Sequence, residues 1–177
     1  MKTLFDSFYN KYHQDLYNYV LYMVKSKQLT EDLIQEIYIR VLKSYESFRG
    51  ESSEKTWLFS IARHVTYDYF RSQKRKRKYT NEAFDWEEQG KIIPADGALP
   101  EEIAIQNENI QRIYRCLDYC TLDQKNIIIL RFIQGFSLQE TADILGITIS
   151  KVKTTQHRGI KALRKLLERE NKKGDER

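Results

Sequence analysis

The chain has 177 residues, 30 Lys plus Arg against 25 Asp plus Glu, a formal charge of +5 and a pI near 9.1. That length allows one domain or two small ones and excludes a large multi-domain enzyme; with 31% charged residues and no run of eighteen apolar ones, no segment is expected to span a bilayer. The start, Met1-Lys2-Thr3-Leu4-Phe5-Asp6, lacks a secretory signal's apolar run and cleavage site, and Gly 7 with Pro 2 leave few turns for a sandwich, so a cytoplasmic, all-α protein that is not a membrane protein is expected.

Phe5, Phe8, Tyr12, Leu16, Tyr19, Val20 and Met23 recur at steps of three and four, which predicts an amphipathic helix over residues 4–24. Polar Ser26-Lys27-Gln28 breaks it. A second helix is expected to be capped by Thr30, with Glu31 and Asp32 near its positive end. It would bury Ile34, Ile37, Val41, Leu42 and Tyr45 and expose Asp32, Gln35, Glu36, Arg40 and Lys43. A polar loop with Gly50 leads to a third helix over about residues 56–73, with Leu58, Ile61, Ala62, Val65 and Tyr69 on one side and Trp57, Ser60, His64, Tyr67 and Arg71 on the other.

Residues 71–78 hold six cations and no acid, and then the character reverses. Across residues 81–102, Glu82, Asp85, Glu87, Glu88, Asp96, Glu101 and Glu102 stand against Lys91 alone, with Pro94, Pro100, Gly90 and Gly97 interspersed. So long a stretch without helical period reads as a flexible acidic linker between two domains, giving bounds of 1–78, 79–102 and 103–177.

Helical period resumes near Glu101 with Ile103, Ile110, Ile113, Tyr114 and Leu117. Cys116 and Cys120 match neither a redox pair nor a zinc half-site and are expected to be reduced, buried thiols. Thr121-Leu122-Asp123-Gln124 has the form of a capping box and opens an apolar helix closed by Gly135. Ser137-Leu138-Gln139-Glu140 repeats the device for a short helix ending at Gly146, and Thr148 is the expected cap of a last helix running to about Arg169.

Two short helices joined at Gly146, with small Ala142 at the crossing and Val152 on the inner side, form a helix-turn-helix pattern. Residues 151–177 carry ten cations against four acids. In a major-groove helix the N-terminal side chains reach base edges, so Lys153, Thr154, His157 and Arg158 are assigned to base reading and Lys151, Thr155, Lys161 and Arg164 to the DNA backbone. A merely solvated basic face is the alternative. No catalytic constellation, metal cluster or cofactor motif is visible: His13, His64 and His157 lie in three different helices.

In the N-terminal half, Trp57, Tyr67 and Phe70 interleave with Arg63, His64 and Arg71, the mixture that single strands require, although a helical core explains some of these aromatics equally well. At this point the residues resemble a family. Thr30-Glu31-Asp32-Leu33-Ile34-Gln35-Glu36-Ile37-Tyr38, Phe48-Arg49-Gly50 and Thr56-Trp57-Leu58-Phe59-Ser60-Ile61-Ala62-Arg63 resemble the second conserved region of bacterial sigma factors, most closely the extracytoplasmic-function (ECF) group and its sigma-X type of bacilli. Gly135-Phe136-Ser137-Leu138-Gln139-Glu140-Thr141-Ala142 and Val152-Lys153-Thr154-Thr155-Gln156-His157-Arg158 resemble the fourth region, with Gln156 and Gly159 departing from the commoner apolar residue and Ala.

The resemblance implies a sigma-2 helical bundle and a sigma-4 helix-turn-helix that bind core RNA polymerase, through its β′ clamp helices and β flap, and direct it to promoters. Asp32, Gln35, Glu36 and Ile39 match the polymerase-binding positions; Phe48, Glu51, Ser52, Ser53, Lys55, Trp57, Arg63 and His64 match the capture of the melted minus-10 strand; and the base-reading residues would meet the minus-35 duplex. Arg71 and Lys74 would add backbone contacts. An anti-sigma factor, commonly membrane-bound, and a role in envelope-stress or cell-surface genes are further implications. The acidic linker would thread a polymerase channel, anchored by Trp86 or by Asp85, Glu87 and Glu88. The rival readings are a stand-alone helix-turn-helix regulator with an N-terminal sensing or dimerisation domain, and an RNA-binding adaptor.

Overall fold

The computed structural model describes residues 2–79 and 99–175, and every regular element among them is helical. They fall into two compact units, Met1–Phe84 with Gln139–Ile147 and Asp85–Leu138 with Thr148–Arg177.

In the first unit α1 (Lys2–Val24), α2 (Lys27–Ser44) and α3 (Glu54–Tyr79) pack in all three pairings. The stepped residues Phe8, Leu16, Tyr19, Val20 and Met23 of α1 are buried, but so are Leu21 and Tyr22. Five consecutive buried residues mean that the last turn of α1 is enclosed all round rather than on one stripe. Lys25 ends it at φ 57°, a left-handed conformation that costs a non-glycine residue about 1–2 kcal/mol. The chain re-enters helix at once, so the cap of α2 is Ser26 and not Thr30. Ser26 Oγ accepts from the Leu29 amide at 3.3 Å, while buried Thr30 donates its hydroxyl to the Ser26 carbonyl at 2.8 Å. Ile34, Ile37, Tyr38 and Val41 line the buried face of α2; Leu42 and Tyr45 are only half-buried.

Ser53 opens α3, its hydroxyl accepting from the Thr56 amide at 3.1 Å. The buried face is Thr56, Leu58, Phe59, Ala62, Val65 and Thr66. The helix does not stop near Gln73. Lys and Arg are good helix formers, and Lys76, Arg77 and Lys78 in the last turn complement the negative end of the helix dipole, so the basic tract is helical to Tyr79. No described residue of α3 after Thr66 is buried. Glu82, Asp85, Trp86, Glu87, Glu88 and Asp96 lie outside the described residues.

Glu101 and Glu102 begin the short α4 (Glu101–Ala104), where acids suit the positive helix end. In the second unit, α5 (Glu108–Cys116) is capped by Asn107, which accepts from the Ile110 amide at 3.0 Å. The expected capping box is present at α6 (Leu122–Ile128): Thr121 Oγ1 accepts from the Gln124 amide at 3.2 Å and Gln124 Oε1 from the Thr121 amide at 3.1 Å. A π turn, Ile129–Ile133, continues α6 and closes at Gly135, φ 75°. Then come α7 (Leu138–Leu145), whose residues from Gln139 group with the first unit, and α8 (Ile149–Asp175) of the second. Both α5 and α6 pack on α8 around buried Leu117, Ile127, Ile128 and Val152. Cys116 and Cys120 are buried and not joined in a disulfide. Lys125, with no exposed side chain, lies 3.4 Å from Asp118, the opposite charge that a buried ammonium requires. No described helix is long and apolar enough to cross a membrane.

Candidate nucleic-acid interface

The turn at Gly146 has the geometry that the sequence predicts. Gly146 sits at φ 64°; its amide meets the Asp143 carbonyl at 3.4 Å and the Ile147 amide bonds to the Ala142 carbonyl at 3.1 Å, the paired bonds of a Schellman ending. Thr148 Oγ1 then caps α8 by accepting from the Lys151 amide at 3.2 Å. The first turn of α8 carries no acid, which leaves its positive end open to phosphate.

Along α8, Val152 and Gly159 are buried, while Lys151, Lys153, Thr154, His157, Arg158, Lys161 and Arg164 are exposed and Thr155 is half-buried. The four residues assigned to base reading thus share one solvent face. The two departures from the family pattern have local causes. A Cβ at Gly159 would lie 2.9 Å from Ile128 Cδ1 and 3.3 Å from Gln124 Cβ, so α6 and α8 approach closely there. Gln156 Oε1 accepts from Arg131 Nε at 3.1 Å, which gives a polar residue a reason to occupy that position.

In the first unit the Phe48 and Trp57 rings lie 4.8 Å apart at 33° and border an open depression of roughly 400 Å³ lined by Ser47, Phe48, Arg49, Glu51, Ser52 and Trp57. Trp57 also packs edge-on against Tyr45 (6.0 Å) and Phe8 (6.2 Å), so it belongs partly to the core. Ser53 and Lys55 do not line the depression. Ser53 caps α3, and Lys55 pairs with Asp15 at 2.8 Å. Arg63 lays its guanidinium 4.5 Å from the Tyr67 ring centre, with Nε buried and unbonded, and His64 is exposed one residue on. Arg71 and Lys74 are exposed beyond them, Arg71 standing 3.8 Å from Asp68. Ser47 and Arg49 line the depression without being expected from the sequence, although Arg49 stands inside the Phe48-Arg49-Gly50 motif.

On α2, Asp32, Gln35 and Ile39 are exposed, Ile39 at 46%. Half-buried Glu36 accepts from Arg40 at 2.8 Å, and Arg40 reaches Asp68 of α3 at 3.3 Å. Those two acids raise the Arg40 pKa, the Glu36 hydrogen bond contributing most. No group of three His, Cys, Asp or Glu that could hold a metal occurs among the described residues.

The Sigma-70 region 2 model matches residues 8–76 and the Sigma-70, region 4 model matches residues 121–165. The chain is 56% identical over 168 residues to the ECF RNA polymerase sigma factor SigX of Bacillus subtilis, covering 95% of this chain and 86% of that protein. It is 33% identical to the ECF RNA polymerase sigma factor SigW of the same organism, covering 88% and 84%. Among solved structures it is similar to the sigma factor RpoE of Bartonella quintana in complex with the anti-sigma factor NepR, with TM-score 0.67, 26% identity and coverage of 88% and 91%. Two region matches in order along a chain whose described elements are all helical, together with these relatives, show that it belongs to the sigma-70 family as an ECF RNA polymerase sigma factor.

Proposed function

We propose that the protein works in the cytoplasm as the promoter-recognition subunit of RNA polymerase, with residues 1–78 as a sigma-2 domain, 79–102 as an acidic tether and 103–177 as a sigma-4 domain. Asp32, Gln35, Glu36 and Ile39 bind the β′ clamp helices and the second domain binds the β flap. Lys153, Thr154, His157 and Arg158 read the minus-35 duplex, and Lys151, Thr155, Lys161 and Arg164 meet its phosphates. The depression at Phe48 and Trp57 takes an extruded base of the minus-10 strand, with Arg63 and His64 alongside and Arg71 and Lys74 on the backbone. The observation that carries this reading is the face of α8, where the four reading residues are all exposed behind a tight, capped turn.

Duplex reading sets the register, and trapping an unpaired base makes strand opening favourable against an unstacking cost of a few kcal/mol. Adding the protein to core polymerase and mapping transcript starts tests this: specific starts are expected only with both present. Tight promoter binding by the protein alone, without new starts, would instead mark a stand-alone regulator.

The RpoE relative is seen with an anti-sigma factor. An anti-sigma factor of this chain, held at the membrane, is proposed to cover the faces around Asp32 to Ile39 and the apolar segment 127–136; Ile127, Ile128, Ile129, Leu130 and Phe136 of that segment are buried, so it offers such a partner Phe132 and Ile133. Envelope-stress or cell-surface genes are the proposed targets, and a complex that still bound core normally would contradict the masking.

A further inference from the structure

We propose that Arg131 is the positioning residue of the recognition helix, a clasp that fixes the roll of α8 about its own axis and thereby decides which side chains face the bases. The proposal rests on α8 reading the minus-35 duplex. Arg131 lies at the centre of the π turn Ile129–Ile133, half-buried between exposed Phe132 and buried Leu130. Such turns re-aim side chains and recur at functional positions. Its guanidinium makes two directed bonds: Nε donates to Gln156 Oε1 at 3.1 Å and Nη1 donates to the Phe136 carbonyl. One rigid planar fork therefore ties α8 to the backbone just after Gly135, where the chain turns towards α7.

Gln156 follows Val152 by four residues and precedes Gly159 by three, so the three lie along one stripe of α8. Gly159 lets that stripe approach Ile128 closely but, lacking a side chain, interlocks with nothing and does not resist rotation. The Arg131 bond one turn earlier supplies the directional restraint. A roll of about 20° would move a side-chain tip 6 Å from the axis by roughly 2 Å, beyond what a base-edge hydrogen bond tolerates. An apolar residue at 156 would hold the helix only by packing; Gln156 holds it by an oriented acceptor.

The test uses the full chain with core polymerase, on a promoter found by start mapping and on its single-base minus-35 substitutions. The variants are Arg131→Lys, Arg131→Gln, Gln156→Met and the Arg131→Lys/Gln156→Met double. The ratio of transcription from parent to substituted elements is expected to fall about five- to tenfold in every single variant. The double variant should fall no further, while amide-exchange protection of α8 remains. Arg131→Lys matching the parent protein, with Arg131→Gln weakening all elements equally and lowering the salt slope by about one, would show a phosphate contact and overturn the clasp. Unchanged ratios with lost protection would reduce Arg131 to a purely structural role and also overturn it. If the parent chain directs no specific start, the reading of α8 falls first and the clasp with it.

Discussion

Gly159→Ala sets two opposed effects against each other where α6 and α8 approach closely. In a helix interior Ala is favoured over Gly by about 1 kcal/mol. The added Cβ would, however, stand 2.9 Å from Ile128 Cδ1 and 3.3 Å from Gln124 Cβ, and Ile128 is only 3% exposed, with little room to swing aside. Overpacking of this kind costs about 1–3 kcal/mol, which leaves a net loss of up to about 2 kcal/mol. Ile128→Val removes the atom at 2.9 Å. Alone it should cost about 0.5–1.5 kcal/mol, but when it is combined with Gly159→Ala the introduced methyl refills the vacated space. The double variant is therefore expected within about 0.5 kcal/mol of the parent, a compensating coupling of about 1–2 kcal/mol. Amide exchange of peptides from α6 and α8 is the suitable measurement, since Trp57 reports the other unit. Simple additivity of the two single changes, or a Gly159→Ala chain more stable than the parent, would refute the argument.

Arg158→Ala and Lys153→Ala are expected to lose about 1–3 kcal/mol of discrimination per base contact in competition between minus-35 elements, whereas Lys161→Ala should weaken all elements alike and reduce the salt slope by about one. Ser26→Ala should destabilise the first unit by about 1 kcal/mol in urea unfolding, because the cap of α2 is Ser26; no loss would reinstate another cap. His13 is held below its ordinary pKa by desolvation, its ring 4.1 Å from Tyr9 and Nδ1 3.2 Å from the Tyr38 hydroxyl. The unfolded chain takes up the proton more readily, so the stability from neutral His13 is complete above about pH 6.5 and is lost as pH falls towards the folded value. Melting temperatures between pH 7.5 and 5.5 should accordingly drop more in the parent than in His13→Gln.

The features legible in the sequence are those set by neighbours along the chain. The Thr121 and Gln124 box, the Gly146 ending and the Thr148 cap each depend on residues within five positions, and each is found. Ser26-Lys27-Gln28 misleads for the same reason: a polar triplet reads as a break, while the chain leaves α1 through a left-handed Lys25 and the cap of α2 falls four residues before Thr30. The basic tract also reads as a stop, though its residues favour helix once nothing opposes them. At the interface, the exposed face of α8 follows from helical period, but the reasons for Gln156 and Gly159 lie 25 and more residues away, in Arg131 and Ile128. The π turn leaves no mark on apolar periodicity at all.

The uninterrupted run of α3 gives the first unit a fixed yardstick. Trp57 near one end and Lys78 near the other are separated by about 30 Å of helix, at 1.5 Å per residue. That is the rise of roughly nine base pairs. On the proposed placing of a minus-10 base beside Trp57, that base would dictate which phosphates upstream or downstream the distal cations could reach, and a single-residue insertion after Thr66 would both lengthen the rod and turn its charges by about 100°.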